Sequence, residues 1–207
     1  MIQKGVLLVV SGFSGAGKGT VVKKIMSDYD NYSLSISMTT RSPREGEVDG
    51  REYFFVTKEK FEEAIDNDEL LEHACYVSNY YGTPRKYVEQ QLESGKDVIL
   101  EIETNGALQI KKKFPEAILI FVTPPSAEVL HGRLAGRGTE TAEVIAERMK
   151  KANEEALLMQ KYDYILVNDE LNKCVENLNT IISVAHQNPK NNEAFIETIK
   201  KELEVYK

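Results

Sequence analysis

Ten consecutive residues constrain this chain more than any others: Ser11-Gly12-Phe13-Ser14-Gly15-Ala16-Gly17-Lys18-Gly19-Thr20. They follow the apolar, β-branched run Val6 to Val10 and lead directly into a helix-forming stretch from Lys18 to Asp28. A glycine-rich turn between strand and helix, with lysine at the helix start, is the build of a phosphate-binding loop. Its glycines let backbone N–H groups approach phosphate oxygens, the helix N-terminus adds its dipole, and the lysine neutralises β/γ charge. The spacing fits G-x-x-x-x-G-K, but Gly19 occupies the next position, where Ser or Thr is usual, and Thr20 comes one residue later. Thr20 is therefore expected to touch the α-phosphate or a metal-bound water rather than ligate Mg²⁺ directly. Gly12, Ser14, Gly15, Ala16, Gly17, Lys18, Gly19 and Thr20 form the candidate triphosphate-binding set.

Three more short apolar runs follow, Val98 to Ile102, Ala117 to Val122 and Tyr164 to Val167. Each is nearly continuous rather than alternating, as in strands covered on both faces of a parallel sheet. Helix-forming stretches lie between them, at Lys86 to Glu93 and Asn105 to Phe114, with Gly95 placed to end the first and Ser126 to cap the helix after Pro124-Pro125. The alternation predicts one α/β domain over 1–207, a phosphate-loop core with a doubly wound parallel sheet. The core is expected over about 1–36, 94–130 and 158–187. Residues 37–93 break the rhythm, with strand-like Glu52 to Val56 and helix-like Lys58 to Asn67, and read as an insertion. Residues 131–157, charged and interrupted by Gly136-Arg137-Gly138, read as a mobile arm. The tail, 188–207, carries Phe195, Ile199 and Leu203 at helical spacing and is expected to be a helix packed on the domain.

Composition excludes several function classes. A net charge of −7 does not provide the basic field of a general nucleic-acid or membrane-surface binder. No apolar run approaches the roughly 18 residues of a membrane span. Cys75 and Cys174 stand far apart without a CxxC partner, and His73, His131 and His186 are scattered, so no zinc framework is present. Such cysteine usage suits a reducing, cytoplasmic setting. His73 and Cys75 read as packing residues.

The insertion opens with Ser37-Met38-Thr39-Thr40-Arg41-Ser42-Pro43-Arg44-Glu45-Gly46-Glu47, followed by Gly50 and Tyr53. Two arginines three apart, beside Ser37 and Tyr53, make a candidate anion clamp, because guanidinium forks match phosphate oxygens. With Asn79-Tyr80-Tyr81-Gly82-Thr83, the Gly-Arg-Gly-Thr-Glu of 136–140 and Val167-Asn168-Asp169, this pattern resembles the guanylate kinase family over nearly the whole chain except the last twenty or so residues.

The resemblance implies a core with the phosphate loop, an acceptor-binding insertion, a helical lid, and the reaction of ATP and GMP to ADP and GDP with Mg²⁺. It implies that Arg41, Arg44 and Tyr53 grip the GMP phosphate with Tyr81 as a further contact, and that Ser37, Glu72, Gly82 and Thr83 line the guanine. Lys18 falls on the loop lysine. Arg133, Arg137 and Arg148 match lid-side arginines, and Asn168 a position near the adenine. Lys18, Arg41, Arg137 and Arg148 are the catalytic set. Glu101 and Glu103 stand where the family usually shows at least one Asp; Glu103 is assigned to GMP, and Mg²⁺ is placed near Thr20 and Glu101 without a certain direct protein ligand.

Two other readings share these residues. A non-catalytic scaffold would use the same cleft to hold a phosphorylated partner, but such modules commonly lack a working phosphate loop. A kinase for AMP or a deoxynucleotide would differ at Ser37 and Glu72. No N-K-x-D guanine motif occurs, which argues against a regulatory GTPase. Oligomeric state is left open, monomer or homo-oligomer.

Overall fold

An unbroken apolar strand is stable only when covered on both faces, and the first strand, β1 (Leu7–Gly12), is buried at every position. The structure, a computed structural model, describes residues 4–76, 78–136 and 141–206. In chain order the elements begin with β1, α1 (Lys18–Asp28), β2 (Tyr32–Leu34), β3 (Met38–Thr39) and β4 (Phe54–Phe55). They continue through α2 (Lys58–Asp66), β5 (Leu70–Tyr76), β6 (Asn79–Pro84), α3 (Arg85–Glu93), β7 (Asp97–Glu101) and α4 (Thr104–Lys113). The remainder is β8 (Ile118–Thr123), α5 (Ala127–Ala135), α6 (Ala142–Ala156), β9 (Tyr164–Val167), α7 (Leu171–Ala185) and α8 (Glu193–Leu203).

The core sheet has the order β2-β7-β1-β8-β9 and is parallel throughout. Leu8 and Val10 turn to one face, into a cluster with Val21, Val22 and Ile25 of α1, Leu130 and Leu134 of α5, and Leu178 and Ile182 of α7. Leu7 and Val9 turn to the other, against Val88 and Leu92 of α3 and Ala107 and Ile110 of α4. The chain thus leaves β1 through α1 on one face and β7 through α4 on the other. That reversal opens a crevice at the C-terminal ends of β1 and β7, where ligands of open α/β sheets bind. The Ser11 hydroxyl donates to the Ile102 carbonyl at 2.8 Å and fastens the two strand ends together.

The doubly wound sheet is as expected, and so are the Ser126 cap, whose hydroxyl accepts from Val129 N–H, and Gly95, which follows α3 with φ 86°. Three features differ. A fifth strand, β2, forms one edge; its three residues were too few to read. α3 lies within the segment read as an insertion, yet it packs on the core sheet because Val88 and Leu92 need that cover. In the tail α8 forms, but it buries no residue, and Phe195 and Leu203 remain 59% and 57% exposed. Its start is tied to the end of α7 by Asn191 and Asn192, which donate to the Ala185 and His186 carbonyls.

A second sheet, ordered β4-β3-β6-β5, stands beside the core. Its pairs are antiparallel except β3 with β4. Phe61, Ala64 and Leu70 form its small hydrophobic centre, with Tyr80 stacked on Phe61. α4 packs against β5 and so brings the inner end of this sheet to the crevice. His73 and Cys75, expected as packing residues, point outward on β5 and are exposed.

Candidate active site

The phosphate loop is shaped by backbone that only glycine adopts easily. Gly12 has φ +138°, and a Cβ there would meet the Val122 carbonyl oxygen at 2.0 Å; Gly17 has φ +89°, where a Cβ would strike the Asn168 amide at 2.4 Å. Gly17 caps α1 without a side-chain bond, and the first turn holds no acid. The helix therefore presents free N–H groups and an uncompensated dipole to an anion. Lys18 folds over the loop, its ammonium donating to the Gly12 and Phe13 carbonyls at 2.7 and 3.1 Å. Burial pushes its pKa down, and Glu101, Glu155 and Glu103 pull it back toward the charged form.

Behind the loop Asn168 and Arg133 form a brace. Asn168, expected beside the adenine, is 6% exposed and its amide donates to the Ala16 carbonyl at 2.8 Å. Arg133, expected to close on a phosphate, donates to the Asn168 carbonyl at 2.9 Å and to Ala16 at 3.4 Å. The physical reason is shared: a loop that spends its N–H groups on phosphate leaves carbonyls behind it that need donors. Both side chains meet that need. Arg148 reaches Ser14 Oγ at 3.1 Å from α6, beside the loop. Arg137 lies outside the described residues.

Glu101 ends β7 facing the start of α1, its carboxylate oxygens 3.5 and 3.6 Å from where a Cβ on Gly19 would stand. Burial raises its pKa, against the opposing pull of Lys18 and Lys23. Gly19 leaves this carboxylate room. Thr20 is exposed on the same first turn. Among the described residues no cluster of three or more His, Cys, Asp or Glu side chains could hold a metal ion on its own.

Across the crevice the second sheet gathers the remaining set. Arg41 pairs with Glu47 at 2.9 Å, lies over the rings of Tyr53 and Phe55, and donates to the Ser42 carbonyl at 2.8 Å. The Arg41 hydrogen bond holds the Glu47 carboxyl below its usual range, helped by the Arg44 backbone N–H. Tyr53 and Tyr81 meet edge to face at 6.0 Å. Arg44 is exposed, close in sequence but without the aromatic support of Arg41. Ser37 enters β3 half-buried, its carbonyl accepting from Phe54 N–H.

Deeper in, Glu72 of β5 is 6% exposed and accepts a 2.7 Å hydrogen bond from the Thr83 hydroxyl of β6. Gly82, opposite His73 on β6, is packed so tightly that a Cβ would lie 2.9 Å from the Glu72 carbonyl. Burial raises the Glu72 pKa and the Thr83 bond opposes it. The other carboxylate oxygen, Oε2, lies 3.0 Å from the point a Cβ on Gly106 would occupy. Gly106 was not singled out from sequence, although a glycine in the first turn of a helix is a signal of close approach. Glu103 sits at the N-cap of α4, exposed, and pairs with Lys151 of α6 at 2.5 Å. Lys151 was also missed, since nothing in the sequence marks it among the charges of α6.

A parallel α/β sheet with this loop at its reversal point, and a second basic and acidic subsite across the same crevice, defines a P-loop phosphotransferase with a separate acceptor pocket. The guanylate kinase family model matches residues 4–185. The guanylate kinase of Lactococcus lactis subsp. lactis is 54% identical over 186 residues, covering 90% of this chain and 91% of its own. That of Oceanobacillus iheyensis is 52% identical over 184 residues, 89% of each. The crystal structure of guanylate kinase from Anaplasma phagocytophilum is 33% identical, with a TM-score of 0.67 over 88% of this chain and 86% of that one. The chain belongs to the guanylate kinase family.

Proposed function

We propose that this chain transfers the γ-phosphoryl group of ATP to GMP or dGMP, giving ADP and GDP or dGDP. The observation that carries the reading is Glu72: a buried carboxylate, oriented by Thr83 with its other oxygen against the first turn of α4, in a chain with an intact phosphate loop. A carboxylate kept out of water is costly unless donors reach it. Guanine offers two adjacent ones, N1–H and the exocyclic amino group. The intact loop and lysine favour catalysis over a scaffold role.

In this reading Lys18 exchanges its loop carbonyls for β/γ oxygens, and its ammonium stabilises the charge that moves during transfer. Arg41, fixed by Glu47 and the rings of Tyr53 and Phe55, holds the GMP phosphate with Arg44, Tyr53 and Tyr81. Ser37, Glu72, Gly82, Thr83 and Glu103 shape the pocket for guanine. Arg148 joins the phosphates from α6 and Arg137 completes the lid, the segment of about 131–157. Asn168 and Arg133 keep the loop in shape. A nucleotide phosphate is already largely anionic near neutral pH, so no general base is required and positioning supplies most of the catalysis. Closing of the acceptor sheet and lid excludes water and suppresses ATP hydrolysis.

The residues suit Mg²⁺ as a nucleotide-borne ion: a hard carboxylate, Glu101, faces the start of α1 next to Thr20, with room left by Gly19. Glu101 and Thr20 would hold its coordinated waters, and the ion would supply neutralisation of the β/γ charge. No described helix is long and apolar enough to cross a membrane, and a cytoplasmic place fits free cysteines and small nucleotide substrates.

The test is ADP release in a coupled assay with GMP, dGMP, AMP, CMP and UMP as acceptors. GMP is expected to lead. A preference for AMP, or ATP turnover indifferent to any monophosphate, sinks the reading.

A further inference from the structure

One face of α6 carries Arg148, Lys151 and Glu155, spaced three and four residues apart. Arg148 turns to the phosphate loop, at Ser14. Lys151 turns to the acceptor side, its Nζ 2.5 Å from Glu103 Oε2. Glu155 lies 3.9 Å from the same ammonium and is buried at the base of this face. A single helix face therefore touches both sides of the crevice.

We propose that Lys151 positions Glu103 for the acceptor nucleotide and, through that ion pair, ties the seating of α6 to occupation of the acceptor site. The inference deepens the GMP kinase reading and rests on it. Two observations and one principle combine to carry it. Glu103 ends its strand–helix junction with a side chain 71% exposed, so without a partner it would sample many rotamers. Ordering such a side chain costs binding energy unless something orders it beforehand. The Lys151 ammonium does this, lying 2.5 Å from Glu103 and 3.9 Å from Glu155.

The pairing also leaves Glu103 able to work. A carboxylate has about four lone-pair sites, so one ammonium hydrogen bond leaves places for donors from a base. Lys151 therefore acts through Glu103 and is a positioning residue. Because it sits on α6, a guanine held by Glu103 stabilises the helix that brings Arg148 to the phosphates. The coupling runs in both directions, as linked binding must.

The test is a double-mutant cycle read in steady-state kinetics: wild type, Lys151→Met, Glu103→Gln and the double variant, with Lys151→Arg as the charge-conserving control. From the usual strength of exposed ion pairs, Lys151→Met should raise KM for GMP about two- to fivefold. It should lower kcat by a similarly small factor, because GMP then no longer steadies the helix that carries Arg148. Lys151→Arg should hold KM for GMP near wild type. In the Glu103→Gln background, Lys151→Met should have no further effect, since its partner's charge is already gone. Raising salt should weaken GMP binding by wild type more than by Lys151→Met. An unchanged KM for GMP in Lys151→Met, or effects of the two substitutions that multiply, overturns the proposal while leaving GMP kinase activity intact. A wild type that does not phosphorylate GMP overturns the functional reading and this proposal with it.

Discussion

The phosphate loop and the second, acceptor-side sheet, proposed to bind chemically similar groups, are held together by opposite means. The loop is enclosed by helices and strands, and its carbonyls are met by side chains: Asn168 and Arg133, far along the chain, at Ala16, and the loop's own Lys18 at Gly12 and Phe13. The acceptor sheet has only the small centre around Phe61, Ala64 and Leu70, and two of its four strands are two residues long. Its Arg41 is placed by an ion pair and two aromatic rings near the surface. The loop is thus fixed by buried hydrogen bonds, which leave few alternative geometries. The sheet is fixed by contacts that can re-form after movement. That division suits a phosphotransferase, in which one substrate site must be ready and the other must close.

The loop side is broken most directly at Lys18. Lys18→Ala removes the charge nearest the transferring phosphate and no apolar core contact. Turnover should fall on the order of 10²-fold or more, the scale of losing one preorganised donor at developing charge. Circular dichroism and the thermal midpoint should stay close to wild type. Near-normal turnover would remove the loop from catalysis.

On the acceptor side the corresponding residue is Glu72. Hydrogen bonds to a charged group are worth about 1.5–3 kcal/mol, roughly ten- to a hundred-and-fifty-fold in preference. Glu72→Leu should lower kcat/KM for GMP by that factor, narrow its lead over AMP, and leave KM for ATP nearly unchanged. AMP presents an unprotonated N1 at the same edge, so the lost carboxylate costs it nothing. An unchanged GMP-to-AMP ratio would take Glu72 out of base selection.

Asn168 sharpens the contrast between preformed and movable sides. Asn168→Ala leaves the Ala16 carbonyl without its buried donor, at a cost of about 1–3 kcal/mol of stability. The denaturant midpoint should drop and KM for ATP should rise, with KM for GMP little affected. Equal effects on the two substrates would mean that the brace is not specific to the loop.

What was legible in the sequence follows the same division. Continuous apolar runs announced β1, β7 and β8, because a buried parallel strand has no polar face to hide its pattern. β9 showed the same run although three of its four residues are exposed at the sheet edge. The phosphate loop was legible because its glycines, lysine and flanking elements are adjacent in sequence. β2 was not, since three residues carry no period. The strands around Phe54 and Met38 are short and exist only through pairing with one another and with β6. Asn168 was flagged, but its bond to Ala16 was not, because that partner lies 152 residues away. Gly106 and Lys151 also act on residues far back in the chain, Gly106 on Glu72 and Lys151 on Glu103, 48 residues away. In the tail, the spacing of Phe195, Ile199 and Leu203 correctly implied a helix. Spacing describes one face of an element and says nothing of an opposing surface, so the packing did not follow.

The smallest expected effect concerns pH and again separates the two sides. Burial raises the Glu72 pKa in the folded chain, while the unfolded chain returns it to the ordinary carboxylate range near about 4.3. Between those two values the folded state binds more protons than the unfolded one. Stability from this group is therefore highest below the window, falls as pH rises through it, and is level above the folded value. GMP acts in the opposite sense, because its N1–H and amino donors favour the ionised carboxylate and lower its pKa again. Binding then releases a proton within the window, so KM for GMP should fall as pH rises toward and through the raised pKa. The slope cannot exceed about tenfold per pH unit for one linked proton, and it flattens above that value. The GMP phosphate itself titrates near about pH 6, so the comparison must be with Glu72→Gln, which keeps the substrate's ionisation and loses the protein's. Wild type should show the steeper dependence for GMP, and the two proteins should show the same dependence for ATP. Parallel GMP profiles would mean that Glu72 does not change protonation when the base arrives.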